Sequence, residues 1–191
     1  MYKRQGDPGS GQIDIFASDF KFPQLLRMSL AADKKLPWGL VGTAEVMWSR
    51  TLNNIFYESL NIRPSTTRLT GTGDDRIQYN RFDRIDPTFT AVYLGSNTSE
   101  GYSINATAQL TKTFDNGFSG SLAYTYGDSY SVFEGTSSQN SSQWRGAWQV
   151  NGRNNAPLGR SDFSMGSRIV AYGSYKIEYL DHMSTTLGFF Y

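Results

Sequence analysis

The sequence feature that most constrains the fold is a regular alternation of apolar and polar residues in paired segments. In the clearest pair, the even positions from Tyr102 to Leu110 are apolar and the odd positions between them are polar. An Asp-Asn-Gly sequence follows at 115–117, and the alternation resumes from Phe118 to Tyr126. Successive side chains of a strand point to opposite faces, and Asn-Gly accepts the positive φ of a tight turn. The pattern therefore predicts a β-hairpin with one apolar and one polar face.

Two further pairs of segments predict hairpins of the same kind. One spans residues 26–48, with a Leu-Pro-Trp-Gly turn at 36–39. The other spans residues 169–191, with a turn at 180–182. Together the three hairpins give about six antiparallel strands, so the predicted fold class is all-β.

The two ends of these strands are connected in different ways. The turn within each hairpin is short, whereas the stretches Leu60–Thr88 and Gly127–Ser164 between hairpins are long and rich in Ser, Thr, Asn, Asp and Gly. Short turns at one end and long loops at the other are typical of a transmembrane β-barrel of the outer membrane, whose loops are extracellular. Loops of this length are usually functional.

The charges on the two faces also favour a membrane barrel. Charged residues in the middle of strands lie on the polar face, and the apolar face carries none there. A charge that faces lipid near the bilayer midplane costs about 2–4 kcal/mol, so we expect the apolar face to meet lipid and the polar face to line a lumen. The charged residues on the polar face are Arg27, Glu45, Arg168, Lys176 and Glu178. Periodicity alone also allows a soluble β-sandwich, whose apolar face would meet a second sheet.

Composition argues against several other classes of protein. Lys and Arg number 18 against 17 Asp and Glu, and no basic cluster is present, so no nucleic-acid partner is predicted. The absence of cysteine excludes disulfides, thiolate metal sites and cysteine nucleophiles. Aromatic residues make up 15% of the chain, which agrees with the aromatic girdles of a membrane barrel. No stretch approaches the roughly 20 apolar residues of a transmembrane helix.

A series of motifs, in order along most of the chain from about residue 15, carries a resemblance to a known family. The motifs are Asp-Phe-Lys-Phe-Pro-Gln at 19–24, Leu-Pro-Trp-Gly-Leu-Val-Gly-Thr-Ala-Glu at 36–45, Asn-Thr-Ser-Glu-Gly-Tyr-Ser at 97–103, Tyr-Thr-Tyr-Gly-Asp at 124–128, Ser-Gln-Trp-Arg at 142–145, Gly-Arg-Asn-Asn at 152–155, Ser-Asp-Phe at 161–163 and Arg-Ile-Val at 168–170. In these motifs the chain resembles TonB-dependent receptors of Bacteroidetes, and in particular the Oar-like group.

The resemblance implies a transporter located in the bacterial outer membrane. Such receptors form a barrel of about 22 strands, filled by an N-terminal plug, and import a ligand with energy delivered through TonB. Residues 1–191 would then be a partial barrel, because the plug, the TonB box and the regulatory domain have no counterpart in them. We therefore expect a fragment of a longer protein. The implied partners are outer-membrane lipid, the TonB complex through the missing N-terminal part, an unknown extracellular ligand and a surface lipoprotein.

Aromatic and arginine side chains in the long loops are the candidates for ligand binding, because they bury much area at modest entropic cost. The candidates are Tyr79, Arg81, Tyr130, Trp144, Arg145 and Trp148. The alternative is that these side chains pack the loops against each other or form the outer girdle. A soluble or surface-exposed sandwich that binds carbohydrate through the same aromatic residues is the alternative function.

Catalytic and metal sites are weakly indicated, and no enzymatic activity or cofactor is expected. The one histidine, His182, lies beside Asp181 in a short turn, where a solvated role is favoured over an Asp-His pair. The segment Gly71–Asp75 could offer oxygen ligands to calcium but lacks the ordered acid spacing of an EF-hand. We therefore interpret it as a loop without metal.

Overall fold

The computed structural model describes residues 11–71, 73–80, 83–147, 149–150 and 152–191. Over these residues the chain forms nine strands and one α-helix, which confirms the all-β class. The elements are β1 (Gln12–Phe16), β2 (Gln24–Lys35), β3 (Leu40–Ser59), β4 (Ala91–Thr98), β5 (Gly101–Thr113), β6 (Phe118–Ser131), α1 (Asn140–Gly146), β7 (Gly159–Arg160), β8 (Gly166–Leu180) and β9 (Met183–Phe190). In the described part of the chain, no helix has the length and apolar character needed to cross a membrane.

Contacts divide the chain into two units. We call residues 26–50, 102–130 and 162–191 the strand unit. The described residues of 11–25, 51–101 and 131–161 are the loop unit. Strand β3 contributes its first half to the strand unit and its second half to the loop unit, and its 20 residues are about twice the 9–11 that a tilted strand needs to cross a bilayer.

The strand unit contains all three predicted hairpins. Its strands follow the order β2-β3-β5-β6-β8-β9, so each hairpin pairs two strands that are consecutive in the chain. The pairs β3–β5, β6–β8 and β8–β9 are antiparallel. Two of the turns use left-handed backbone: φ is 61° at Trp38, 70° at Gly39 and 85° at Gly117. The positive φ predicted for the Asp-Asn-Gly turn is therefore confirmed at Gly117.

One face of the strand unit is apolar across neighbouring strands. Val46 of β3 pairs with Ala106 of β5, and Leu122 of β6 pairs with Ala171 of β8. The large side chains on this face are exposed, with fractions of 53% for Leu122 and 59% for Leu187. The predicted apolar face therefore exists, and its large side chains are not covered by the described protein.

The opposite face carries small polar side chains that hydrogen-bond across strands. The Ser49 and Ser103 hydroxyls lie 2.7 Å apart, as do those of Ser119 and Ser174. Ser49 and Ser174 are 8% and 9% exposed. The strand unit thus buries serine and exposes leucine, which is the reverse of a water-soluble domain.

The loop unit has aromatic residues at its centre. Tyr57 of β3, Tyr93 of β4 and Trp144 of α1 are all buried, with Phe133 packed against them. The Tyr93 and Trp144 ring centroids are 5.5 Å apart, and those of Tyr57 and Phe133 are 5.3 Å apart. Segments distant in the sequence therefore share one small hydrophobic core.

The structure departs from the prediction around the long loops. Strand β4 was not predicted, and it pairs antiparallel with the second half of β3 and parallel with β1. The description of the strands as antiparallel is therefore wrong for β1, which can pair in parallel because a long connection separates it from β4. The stretch from Gly127 was predicted to be loop, yet β6 continues to Ser131, and α1 and β7 follow. These elements escape a period-two search because β4 is partly covered on both faces and the others are short.

Candidate ligand-binding cleft

Three of the six predicted site residues line one cleft in the loop unit. Tyr79, Trp144 and Arg145 meet at a cavity of about 520 Å³. Tyr130 does not belong to it, since it lies in the strand unit with its ring stacked on Tyr102 at a centroid distance of 5.1 Å. The other two candidates, Arg81 and Trp148, lie outside the described residues.

The cleft is lined from four parts of the loop unit, namely the end of β3, the first long loop, the start of β4 and the second long loop. The lining includes Ser59, Asn61, Ile62, Tyr79, Asp83, Arg84, Ala91, Tyr93, Trp144, Arg145 and Arg153. The volume is that of a small-molecule site. The arrangement therefore offers apolar, hydroxyl, amide and guanidinium groups to one small space.

Asn154 connects the second long loop to the end of β3. Its Nδ2 donates to the Ser59 carbonyl at 2.9 Å, and the Ser59 backbone N–H donates to its Oδ1 at 2.9 Å. The Trp144 indole Nε1 donates to the same Oδ1 at 3.0 Å. One side-chain amide therefore pairs with the strand as a neighbouring backbone would, and it also fixes the buried indole.

Asn61 has the same role for the first long loop. It is 5% exposed, and its Nδ2 donates to the carbonyls of Asp86 and Phe89 at 2.9 and 3.0 Å. The Asp86 N–H donates to Asn61 Oδ1 at 2.8 Å. The Asp86 carboxylate in turn accepts from the Thr88 N–H, and hydrogen bonding from Thr88 lowers the pKa of Asp86. Neither asparagine was predicted as a site residue, because an asparagine in an Asn-rich loop carries no signal without its distant partner.

Trp144 lines the cleft, but little of its side chain is open to a ligand. Its exposed fraction is 7%, which favours the packing alternative for this residue. Arg145 is exposed, and its Nε and Nη2 donate to the Ser141 carbonyl and hydroxyl at 3.0 and 3.3 Å. Ligand contact by Tyr79 and Arg145 stays a prediction.

Comparison with known families decides the class of the chain. The family described as "Outer membrane beta barrel domain" matches residues 3–186. This chain belongs to that family. Neither the curated proteins nor the solved structures gave a match. The outer-membrane location predicted from the strands is therefore established, and the apolar face of this barrel domain is the face that meets lipid.

The family match also decides between the alternatives left open by periodicity. A soluble sandwich would need a second sheet against the apolar face, whereas an outer-membrane barrel domain exposes that face to lipid. The barrel interpretation is the one that the exposed Leu122 and Leu187 support.

His182 and the described residues of the segment Gly71–Asp75, which were also candidates from the sequence, are not among the residues that line the cleft. His182 lies exposed in the short turn before β9. Asp74 is bound by Arg76, whose Nη2 is 2.6 Å from its Oδ2, and these hydrogen bonds lower the pKa of Asp74 to about 2. Among the described residues no three His, Asp or Glu side chains come together to hold a metal ion.

Proposed function

We propose that the barrel domain is part of a TonB-dependent receptor that binds a ligand on the outer side of the membrane and imports it. The observation that carries the proposal is the cleft, which is lined from both long stretches between hairpins. In an outer-membrane barrel with short periplasmic turns, these long stretches are extracellular. A pre-formed, concave site on that side suits a receptor.

The two units have separate tasks in this proposal. The strand unit is a section of barrel wall, with lipid on its apolar face and the lumen on its hydroxyl-lined face. The loop unit holds the recognition site, made rigid by the aromatic core and by Asn61 and Asn154. The motif resemblance to Oar-like receptors supports the same role, and it adds a TonB contact through another part of the protein and a surface lipoprotein as a further partner.

The experiment that tests the proposal uses the complete protein in its own outer membrane. Receptor purified after in-cell crosslinking should carry TonB covalently attached, and the yield of this adduct should rise when a ligand-bearing growth medium is supplied. Cells that lack TonB should take up the receptor's nutrient no faster than cells that lack the receptor. Uptake that is equal with and without TonB, or a receptor that never crosslinks to TonB, would refute active import and leave a passive barrel.

A further inference from the structure

We propose that the cleft of the loop unit recognises an anionic group, a carboxylate or a sulfate, on a small ligand. The inference deepens the proposed function, on which it rests, by naming the chemical class that the receptor selects. It comes from three guanidinium groups, those of Arg84, Arg145 and Arg153, that line the same cavity of about 520 Å³. Two of the three, Arg84 and Arg153, lie outside the set of residues that the sequence singled out.

The charges around the cleft do not cancel. Among its lining residues Asp83 is the acid, and Arg63 Nε lies 2.9 Å from the Asp83 carboxylate. Arg63 is not part of the lining, so it offsets the acid from outside. None of the three lining arginines forms an ion pair with a described residue. A partly enclosed space with this excess of positive charge raises the local concentration of anions.

Arg145 is held in place while part of its guanidinium stays available. Its Nε and Nη2 are anchored on Ser141, as described above, and its Nη1 has no acceptor in the described protein. Anchoring reduces the rotamer entropy that a ligand would otherwise have to remove. The remaining N–H groups can then donate to a planar anion.

Arg153 is fixed by a different contact. Its guanidinium carbon lies 5.4 Å from the centre of the Trp144 ring, and its backbone N–H points to the Tyr79 hydroxyl at 3.4 Å. A guanidinium over an indole keeps its donors in their own plane, so it can bind a carboxylate through two parallel hydrogen bonds. Among the described residues no acceptor uses these donors.

The size of the cleft sets the size of the ligand. A cavity of about 520 Å³ accommodates a small molecule, and the chain has no basic stripe of the kind that binds a nucleic acid. A small acidic saccharide or another small organic acid fits both observations. A free sulfate ion could bind the same guanidinium groups, and the test distinguishes it from these ligands by comparing their binding.

The test is a calorimetric titration of the full-length receptor, purified in detergent, with digalacturonate, sodium sulfate and the neutral disaccharide maltose. Digalacturonate or sulfate should bind, and maltose should not. Arg145→Gln and Arg153→Gln should each weaken anion binding by about 10-fold, the value of one charge-assisted hydrogen bond. Arg76→Gln, which removes the same charge from an exposed pair with Asp74, is the matched control and should leave the affinity unchanged. Retention of the heat-modifiable band would show that the barrel of each variant is folded, and unchanged resistance of the long loops to protease would show that the cleft is intact.

Each outcome bears on the inference. Binding of digalacturonate with weak or absent sulfate binding assigns the site to a carboxylate, and tight sulfate binding that competes with digalacturonate assigns it to a sulfate-like anion. Equal binding of maltose, unchanged affinity in both arginine variants, or no binding of either anion would overturn it. Binding in detergent does not require TonB, so a receptor that binds anions without TonB-dependent uptake would refute import and leave this inference standing.

Discussion

Among the described residues the buried hydrophobic side chains all lie in the loop unit and are Tyr57, Tyr93, Val132 and Trp144, whereas the buried side chains of the strand unit include Ser49 and Ser174. Both units are built by one chain, and strand β3 runs through both. The difference lies in the solvent that each unit meets. Lipid accepts leucine and isoleucine on the outside of a sheet, whereas water requires the loops to gather their aromatic residues inward. Which side chains are buried therefore depends on the local solvent, and this changes along the single strand β3.

The largest effect should come from removing the centre of the loop unit. Trp144→Ala deletes a buried indole and its hydrogen bond to Asn154, and large-to-small substitutions of this kind cost about 3–5 kcal/mol. We expect protease added to intact cells to cleave the long loops of the variant much faster than those of the parent protein. The strand unit should keep its heat-modifiable band.

A barrel that fails to fold in Trp144→Ala would contradict the separation of the two units. Trp144→Phe gives the matched control, since it keeps a ring in the core and removes only the indole donor. Its loops should show a smaller gain in protease sensitivity, because Asn154 Oδ1 keeps its hydrogen bond from the Ser59 backbone N–H and only one hydrogen bond, of about 0.5–1.5 kcal/mol, is lost.

The next largest effect should separate the two faces of β3. Val46→Lys places a charge on the apolar face, opposite Ala106, at a cost of about 2–4 kcal/mol near the bilayer midplane. Met47→Lys puts the same charge one residue further along, on the face that carries Glu45 and Asn105. Urea titration of the protein refolded into lipid vesicles should show the loss for Val46→Lys and little change for Met47→Lys. Equal losses would mean that the apolar face is not in lipid.

A smaller effect is expected at the turn between β5 and β6. Gly117 has a φ of 85°, and a Cβ there would lie 2.6 Å from the Lys176 carbonyl oxygen. Gly117→Ala should therefore cost about 1–2 kcal/mol from the left-handed backbone, and more from the contact with β8. In the same urea titration Gly120→Ala is the control, since its Cβ would meet its nearest atoms at 3.6 Å. A neutral Gly117→Ala would show that the turn can move away from β8.

The smallest effect concerns the pair of Asp74 and Arg76 on the exposed first long loop. The pKa of Asp74 in the folded protein, about 2, lies below its ordinary value of 3.8. The pair therefore stabilises the loop above pH 4, and this contribution is lost as the pH falls towards 2. The protection factor of the segment around residues 73–77, which compares its exchange rate with the intrinsic rate at the same pH, should fall over that range. Asp74→Asn should remove the pH dependence, whereas Asp75→Asn should leave it. A protection factor that changes neither with pH nor in Asp74→Asn would show that the pair contributes nothing.

Local patterns predicted the strand unit well because each hairpin is encoded within about 25 consecutive residues. The alternation around Val46 and Leu122 shows which side chains face lipid and which face the polar side of the sheet. The Asp-Asn-Gly sequence before Phe118 predicts the turn. Strand β4 was missed for the opposite reason. Tyr93 and Gly95 are buried by segments that arrive from elsewhere in the chain, so its own sequence shows no clean period of two.

The cleft could be predicted only in part. Arg145 and Tyr79 were found because aromatic and arginine residues stand out in a polar loop. Arg153 and Asn154 belong to a motif that was used only as evidence of a family resemblance. Their roles in the cleft depend on contacts with Trp144 and Ser59, which are distant in the sequence or cannot be inferred from it. Tyr130, like Tyr79, is an aromatic residue in a polar stretch, but its ring stacks on Tyr102 instead of lining the cleft. No local sequence pattern distinguishes the two cases.

The link between Asn154 and Ser59 joins residues that are 95 positions apart. Contacts of such long range form slowly because the intervening chain must first be ordered, whereas the hairpins need only their neighbours in sequence. We therefore expect the hairpins of the strand unit to form before the cleft does. A cell under folding stress would then hold barrel domains that are inserted in the membrane but whose cleft has not formed.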